Sequence, residues 1–470
     1  MDGAALPALA HALPAIMLAC LAVLLFSGFP VALVLAGTGL GFGLIGHLLG
    51  SFRLVEFGIG YHRIIGNLTE GEDLVYSAIP ALIFMGALLE RSGMAHDALA
   101  ALNVLLRRIP GRLVLAVMGL GVALAPAAGV IGASVATLAL IALPTMIQQG
   151  YSKPLAAGTV AAAGTLGIVF PPAIMLFFLA DAVSLQLPFI FLAMMLPVAA
   201  LLVLFAAYGL LRCRLDPRAE QGGPAAGGAA ELITALRSLL LPLLLLGLVL
   251  LLIMSRRATP MQSGVLGAAG ALLLLLFRRG FNMKALHETV LTTAETTSMV
   301  FFVIIGATVF SGVFVVLGGG EWIARLIHGA ELGRWGTLAL IMLIIFVMGF
   351  FFDWIEILII AFPVFVPILA GLDFTDHVGP PYLVQGWIGI LLALNLQTSF
   401  LTPPFGFALF FLKGAAPKEV RMADIYAGVL PFLAIQVLVI GLVAGLPAMA
   451  TWLPTHVLQF ASTPNINMAE

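Results

Sequence analysis

Two stretches of the 470-residue sequence gather hydroxyl and amide side chains beside a proline pair. One reads Gly164-Thr165-Leu166-Gly167-Ile168-Val169-Phe170-Pro171-Pro172, the other Asn395-Leu396-Gln397-Thr398-Ser399-Phe400-Leu401-Thr402-Pro403-Pro404. Proline has no N–H and its ring clashes with the carbonyl one turn earlier, so a helix reaching either pair breaks there. At membrane depth the freed backbone groups must face protein or a wet cavity. Their carbonyls, with Thr165, Gly167, Asn395, Gln397, Thr398, Ser399 and Thr402, offer hard oxygen ligands for a sodium ion. The N-terminus of a half-helix attracts an anionic carboxylate. A kinked helix whose hydroxyls bond their own i−4 carbonyls would carry the same residues. Two breaks in equivalent positions favour the ion-binding reading.

Asp353 and Glu356 are the sharpest charged features, because carboxylates flanked by residues 350–352 and 357–360 are costly at depth and usually functional there. A place at the headgroup edge is the competing reading. Ser134, closing Gly129-Val130-Ile131-Gly132-Ala133-Ser134, is a further candidate cation ligand, although a serine in such a turn is more often packing. Glu295 either lines the pathway or pairs with a helix, and Asp181 and Asp73 are expected at helix ends. There is no Walker A, GxSxG or HExxH pattern, and the eight histidines are scattered, so no enzymatic reading survives. Cys20 and Cys213 lie far apart without metal-ligand spacing and read as structural.

The elements that position these residues follow from composition. Hydrophobic residues make up 62% and charged residues 9% of the chain, far from the roughly half apolar and one-quarter charged balance of soluble domains. A hydrocarbon core about 30 Å thick needs roughly 20 apolar residues per helical span, and the sequence supplies enough runs for about ten or more crossings. Continuous runs such as 239–254 contradict the alternation of a membrane barrel. The expectation is an all-α polytopic membrane protein in a lipid bilayer. A net charge of −1, from 21 basic and 22 acidic residues, leaves no basic face for nucleic acid. The N-terminus lacks the basic region of a cleaved signal peptide, so residues 1–13 read as a short tail before a retained helix.

Along the chain, residues 1–93 read as N-terminal scaffold helices, 94–112 as an amphipathic arm, and 113–185 as a re-entrant hairpin with the first broken helix. Residues 186–289 read as scaffold helices and linker, and 290–334 as a scaffold helix with a second arm. Residues 335–415 are a second hairpin and broken helix, and 416–470 a C-terminal scaffold helix. The second half repeats the first: Pro172 precedes Pro197 by 25 residues, and Pro404 precedes Pro431 by 27. Basic residues at 107–108, 112, 212, 214, 278–279, 413, 418 and 421 are all cytoplasmic if the N-terminus is periplasmic, which makes the repeats inverted. Arg256 and Arg257 count against that orientation. Inverted repeats with paired broken helices mark a secondary transporter with its site near the midplane.

Several motifs resemble the large membrane subunit of tripartite ATP-independent periplasmic (TRAP) transporters over nearly the whole chain. They are Ser27-Gly28-Phe29-Pro30-Val31-Ala32, residues 79–93 (IPALIFMGALLERSG), 164–172 (GTLGIVFPP), 395–406 (NLQTSFLTPPFG) and Gly428-Val429-Leu430-Pro431. The wording is similar to the mannitol/chloroaromatic or 2-oxo acid branch. Ala173 departs from the serine the family commonly has there. The resemblance implies an elevator fold, with a transport domain of two hairpins and two broken helices sliding on a scaffold in the bacterial inner membrane. It implies sodium-coupled uptake of a small organic anion, a separate small membrane subunit and a periplasmic substrate-binding protein. By similarity, sodium ligands are expected at Ser134, Gly167 and Pro172, and around Asp353, Asn395, Thr398 and Thr402. Substrate is expected against Thr165, Pro171, Ser399, Pro403 and Pro404. A stand-alone ion-coupled carboxylate carrier is the nearest rival; a channel or membrane scaffold is a second, disfavoured by the duplicated breaks.

Overall fold

The computed structural model describes residues 5–25, 27–58, 66, 75–91, 93–124, 131–216, 229–277, 283–329 and 331–461, and among these the chain is helical with no strand. The first half comprises α1 (Ala5–Leu25), α2 (Val31–Leu48), α3 (Val75–Arg91), the arm α4 (Met94–Leu105), α5 (Arg112–Ala123), α6 (Ile131–Gln148), α7 (Lys153–Leu166), α8 (Ile174–Ala182) and α9 (Leu187–Leu215). The second half runs through α10 (Ala229–Met254), α11 (Pro260–Leu276), α12 (Met283–Val316), the arm α13 (Gly319–Gly329), α14 (Gly333–Met348), α15 (Trp354–Ala370), a single turn α16 (Thr375–Val378), α17 (Pro381–Leu401), α18 (Phe407–Ala415) and α19 (Met422–Gly445). It closes with α20 (Ala448–Ala461). Proline opens α7, α9, α11 and α17, where its missing N–H is no loss and its fixed φ is already helical.

Six helices among the described residues are long and apolar enough to cross a membrane: α2, α6, α9, α12, α17 and α19. That is fewer than the ten or more expected from apolar runs. The difference lies in one bent pair, α3 with α4, and in apolar helices of 10–17 residues such as α5, α11 and α14. At 1.5 Å per residue the 12 residues of α5 reach only about 18 Å, well short of the hydrocarbon core. α5 by itself therefore does not span, and α5–α6 and α14–α15 form the two helical hairpins of the chain. The tip of the first, including Pro126, Gly129 and Val130, lies outside the described residues, as does Asp73.

The two halves exchange partners. α2 packs on α12 while its counterpart α11 packs on α3; α10 lies on the arm α4 while α1 touches the arm α13. Likewise α6 packs on α18 and α15 on α8, and α7 packs on α19 and α17 on α9. The duplication thus extends to the pairs α1–α2 and α10–α11, which the sequence reading left outside it because they are featureless apolar runs.

The same contacts divide the chain differently from the sequence division at two places. α9, α19 and α20 have their principal contacts with one another, the hairpins and the broken helices, rather than with α1–α4 or α10–α13. A Cβ on Gly158 would lie 2.0 Å from the carbonyl oxygen of Gly428, so α7 and α19 meet backbone to backbone. Trp387 Nε1 donates to the Val443 carbonyl at 2.7 Å, tying α17 to α19. Residues 187–215 and 422–461 therefore pack with the body that carries the breaks, although sequence grouped them with the scaffold. Contact between the two bodies runs mainly through α12 with α15, α4 with α5, and α3 with α8.

Candidate functional site

At the first break, α7 ends at Gly167 and α8 begins after Ala173. Gly164 is needed because a Cβ there would sit 2.5 Å from Val135 Cγ2 and 3.1 Å from Val135 Cα, so the start of α6 closes directly on the end of α7. This brings Ser134 beside the break. Its side chain is 5% exposed, and its hydroxyl has no hydrogen-bond partner among the described residues. Thr165 Oγ1 donates to the Ala162 carbonyl at 3.1 Å. Ala173 provides no side-chain cap, so the N–H groups opening α8 beyond Pro171 and Pro172 keep their partial positive charge.

The second break repeats the plan. Thr398 Oγ1 donates to Leu394 O at 2.8 Å, Ser399 Oγ to Leu396 O at 2.7 Å, and Thr402 Oγ1 to Thr398 O at 2.9 Å. These are the intrahelical bonds of the competing reading. They use only the hydroxyl proton, however, and leave oxygen lone pairs for a cation. Asn395 Nδ2 is committed to the Met342 carbonyl at 2.7 Å, fixing α17 to α14. Gln397 is fully buried, with neither amide atom partnered among the described residues. After Pro403 and Pro404 the loop closes on itself: Gly406 N donates to Thr402 O at 2.8 Å, and a Cβ on Gly406 would lie 2.6 Å from Phe400 O. Gly406 leaves α18 without a side-chain cap, just as Ala173 leaves α8. Both Pro-Pro bonds are cis.

The second hairpin joins the two breaks. Asp353 stands at its tip as the N-cap of α15: Oδ1 accepts from Trp354 N at 2.8 Å, and Glu356 Oε2 accepts from Asp353 N at 3.2 Å. The pair forms a capping box, so part of its acceptor capacity holds the helix start. Phe351 packs on Phe405, just past Pro404, with centroids 5.8 Å apart, and Trp354 meets Phe178 of α8 edge-on at 5.5 Å. Asp353 thus lies between a residue touching the second break and one touching the half-helix after the first.

Glu295 is on an exposed part of α12. Asp181 ends α8 and accepts from Tyr76 OH at 2.7 Å, a link from α3 to the body carrying the breaks. Among the described residues no three His, Cys, Asp or Glu side chains gather, so a cation at the breaks would be held by hydroxyls, amides and carbonyls. Sequence reasoning missed the contacts of Gly349, Phe351 and Trp354, and the buried Thr159 of α7 and Gln436 of α19, whose polar side-chain atoms have no partner among the described residues. A polar side chain alone in an apolar helix is the one signal that could have found the last two.

Residues 18–449 match the family described as "Tripartite ATP-independent periplasmic transporter, DctM component". This chain belongs to that family. The permease is 26% identical to the C4-dicarboxylate TRAP transporter large permease protein DctM of Pseudomonas aeruginosa, over 82% of this chain and 87% of that one. It is 25% identical to the isethionate TRAP transporter permease protein DctMQ of Oleidesulfovibrio alaskensis, covering 91% of this chain and 64% of the longer relative. It is 23% identical to the ectoine TRAP transporter large permease protein TeaC of Halomonas elongata, over 93% and 98%. The fold is similar to the YdaH transporter of Alcanivorax borkumensis, whose crystal structure is described as revealing an unusual topology. The TM-score is 0.53 at 18% identity, covering 84% of this chain and 89% of that one. The permease is accordingly a multi-pass membrane transport component and not an enzyme.

Proposed function

We propose that this permease carries a small organic anion across the bacterial inner membrane, coupled to sodium, as the large subunit of an assembly with a small membrane subunit and a periplasmic substrate-binding protein. The observation that carries the reading is the paired geometry of breaks and hairpins. Each break places oxygen donors beside a hairpin and opens a half-helix whose N-terminus has no side-chain cap. Sodium suits the oxygens, and an acid group suits the N-termini. The transported compounds in the names of the three relatives each bear an acid group: a dicarboxylate, a sulfonate and a carboxylate-bearing zwitterion. Binding an ion and an anion together also offsets the cost of an uncompensated charge at depth, at least about 2.5–3.5 kcal/mol on the lenient insertion scale.

In this reading the body of α5–α9 and α14–α20 moves as an elevator against α1–α4 and α10–α13. Its surface toward the scaffold is traversed mainly by α15, α5 and α8. The test is uptake by the full assembly in liposomes with sodium replaced by choline at constant pH. Loss of uptake is expected; equal uptake would replace sodium with a proton or an uncoupled cycle. The permease reconstituted alone should transport nothing measurable, and robust uptake by it would favour a stand-alone carrier.

A further inference from the structure

Side-chain hydrogen bonds join the two bodies at both ends of α3. At its start, Tyr76 OH donates to Asp181 Oδ2 of α8 at 2.7 Å, and the Tyr76 ring meets Phe178 edge-on with centroids 5.3 Å apart. Phe178 in turn meets Trp354, so Tyr76 stands one side chain away from the tip of the second hairpin. At the other end, Thr137 Oγ1 of α6 donates to Glu90 Oε1, one helical turn from Ser134 beside the first break. At 1.5 Å per residue the two attachments are about 21 Å apart along α3. The scaffold helix is thus fastened to α8 and to the first hairpin.

The second half carries no equivalent pair. Gly93 and Gly318 each precede an arm with a positive φ, which sets the two halves in register. Tyr76 precedes Gly93 by 17 residues, and the residue 17 before Gly318 is Phe301, which has no hydroxyl. Glu90 corresponds in the same way to Val315. Counted from Pro172 and Pro404, Asp181 corresponds to Lys413; counted from the first residues of α6 and α15, Thr137 corresponds to Ile360. In a carrier of inverted repeats, the second state arises when the two halves exchange conformations. The contacts made here by α3 then fall to α12, where Phe301 and Val315 can neither donate nor accept. Arg256 also donates to Gln186 across the divide, but Ser27 and Arg421 at the corresponding positions can form the same kind of bond, so that contact favours neither state.

We propose that Tyr76 and Glu90 form a one-sided latch that holds the moving body in the arrangement described here, while the opposite arrangement lacks the equivalent bonds. Differential contact of this kind sets the ratio of two conformations. The latch makes the two states unequal before any ion or substrate binds, and release of both ends of α3 is part of each stroke. Both are positioning residues, since they act through α8 and the first hairpin. The inference rests on the elevator reading above.

The test reads the ratio of states by single-molecule fluorescence transfer in the full assembly, in liposomes in choline without sodium. Dyes are attached through Leu215→Cys at the exposed end of α9 and Phe277→Cys just past α11, after Cys20→Ser and Cys213→Ser. Tyr76→Phe keeps the ring on Phe178 and removes the hydroxyl, and Thr137→Val keeps the shape and removes the donor. Each should shift the ratio about fivefold toward the second state, the scale of one net hydrogen bond, and the two together about 25-fold because distant sites add. Thr137→Ser retains the donor and should leave the ratio unmoved, which a role in packing alone would not produce. Each single variant carries the test by itself, and an unchanged melting temperature verifies its folding. Two populations in the wild type whose ratio stays fixed in the double variant would overturn the latch and leave the elevator standing. One unchanging population in wild type and double variant alike, in sodium or in choline, would overturn the elevator reading and the latch with it.

Discussion

A single methyl group at the second hairpin tests whether its tip must close on the broken helix. Gly349 follows α14, and a Cβ there would lie 1.9 Å from Ser399 Oγ and 2.7 Å from Ser399 Cβ. Ordinary van der Waals contact begins near 3.4 Å, so Gly349→Ala requires a separation of about 1.5 Å, from 3.4 minus 1.9. Ser399 is poorly placed to give way, because it is fully buried and its hydroxyl is held by Leu396 O at 2.7 Å. Overpacking of this kind costs about 1–3 kcal/mol. If that cost falls on the closed, substrate-bound arrangement, apparent substrate affinity drops by about 5- to 150-fold, at 1.4 kcal/mol per factor of ten. The assay is concentration-dependent uptake by the full assembly, with the melting temperature of each variant alongside. Ser399→Gly in the same background removes the obstructing atoms and should restore much of the loss. Ser399→Gly alone is measured to complete the cycle, since glycine inside a helix carries its own penalty of about 1 kcal/mol. Wild-type affinity and melting temperature in Gly349→Ala would refute the closed contact.

Thr398→Ala and Thr402→Ala should each raise the sodium concentration for half-maximal uptake about tenfold or more, on the scale of about 1.5–3 kcal/mol for a polar contact to a charge. Thr293→Ala on α12 is the control, because its hydroxyl makes the same kind of bond, to Thr289 O at 2.8 Å, away from the breaks; equal effects at all three sites would remove the ion-binding role. Asp353→Ala should lower thermal stability by about 0.5–2 kcal/mol through loss of the α15 cap, whereas Asp353→Asn keeps the cap. A sodium dependence altered in Asp353→Asn with stability intact would separate an ion-binding role from capping, and equal melting of Asp353→Ala and wild type would refute the cap. The hydrogen bond from Arg334 holds the Asp376 carboxyl below its ordinary range. Its folded form is thus favoured when ionised, so the stabilisation is present above about pH 3.9 and fades as pH falls through the folded value. Asp376→Asn should show a small drop in melting temperature at pH 7 that shrinks toward pH 3, small because the pair is solvated; a pH-independent difference would refute it.

The sequence by itself determined the features that are properties of a few consecutive residues. Pro171-Pro172 and Pro403-Pro404 break helices wherever they are placed, since the missing N–H and the ring clash need no neighbour. The arms and the repeated spacing of the second half were legible for the same reason. What hydrophobic patterning could not carry is which apolar face meets protein and which meets lipid, because lipid tails are as apolar as leucine. α9 and α19 therefore looked like scaffold helices until their contacts with α17 and α7 were seen, and the counterpart pairs α1–α2 and α10–α11 looked like unrelated spans. Only tertiary structure decided that Asn395 is committed to Met342 O while Gln397 has no partner among the described residues. Only tertiary structure, too, set Gly349 against Ser399 and Gly158 against Gly428. Those contacts join residues far apart along the chain, and a glycine in sequence announces only that something comes close, not what it is.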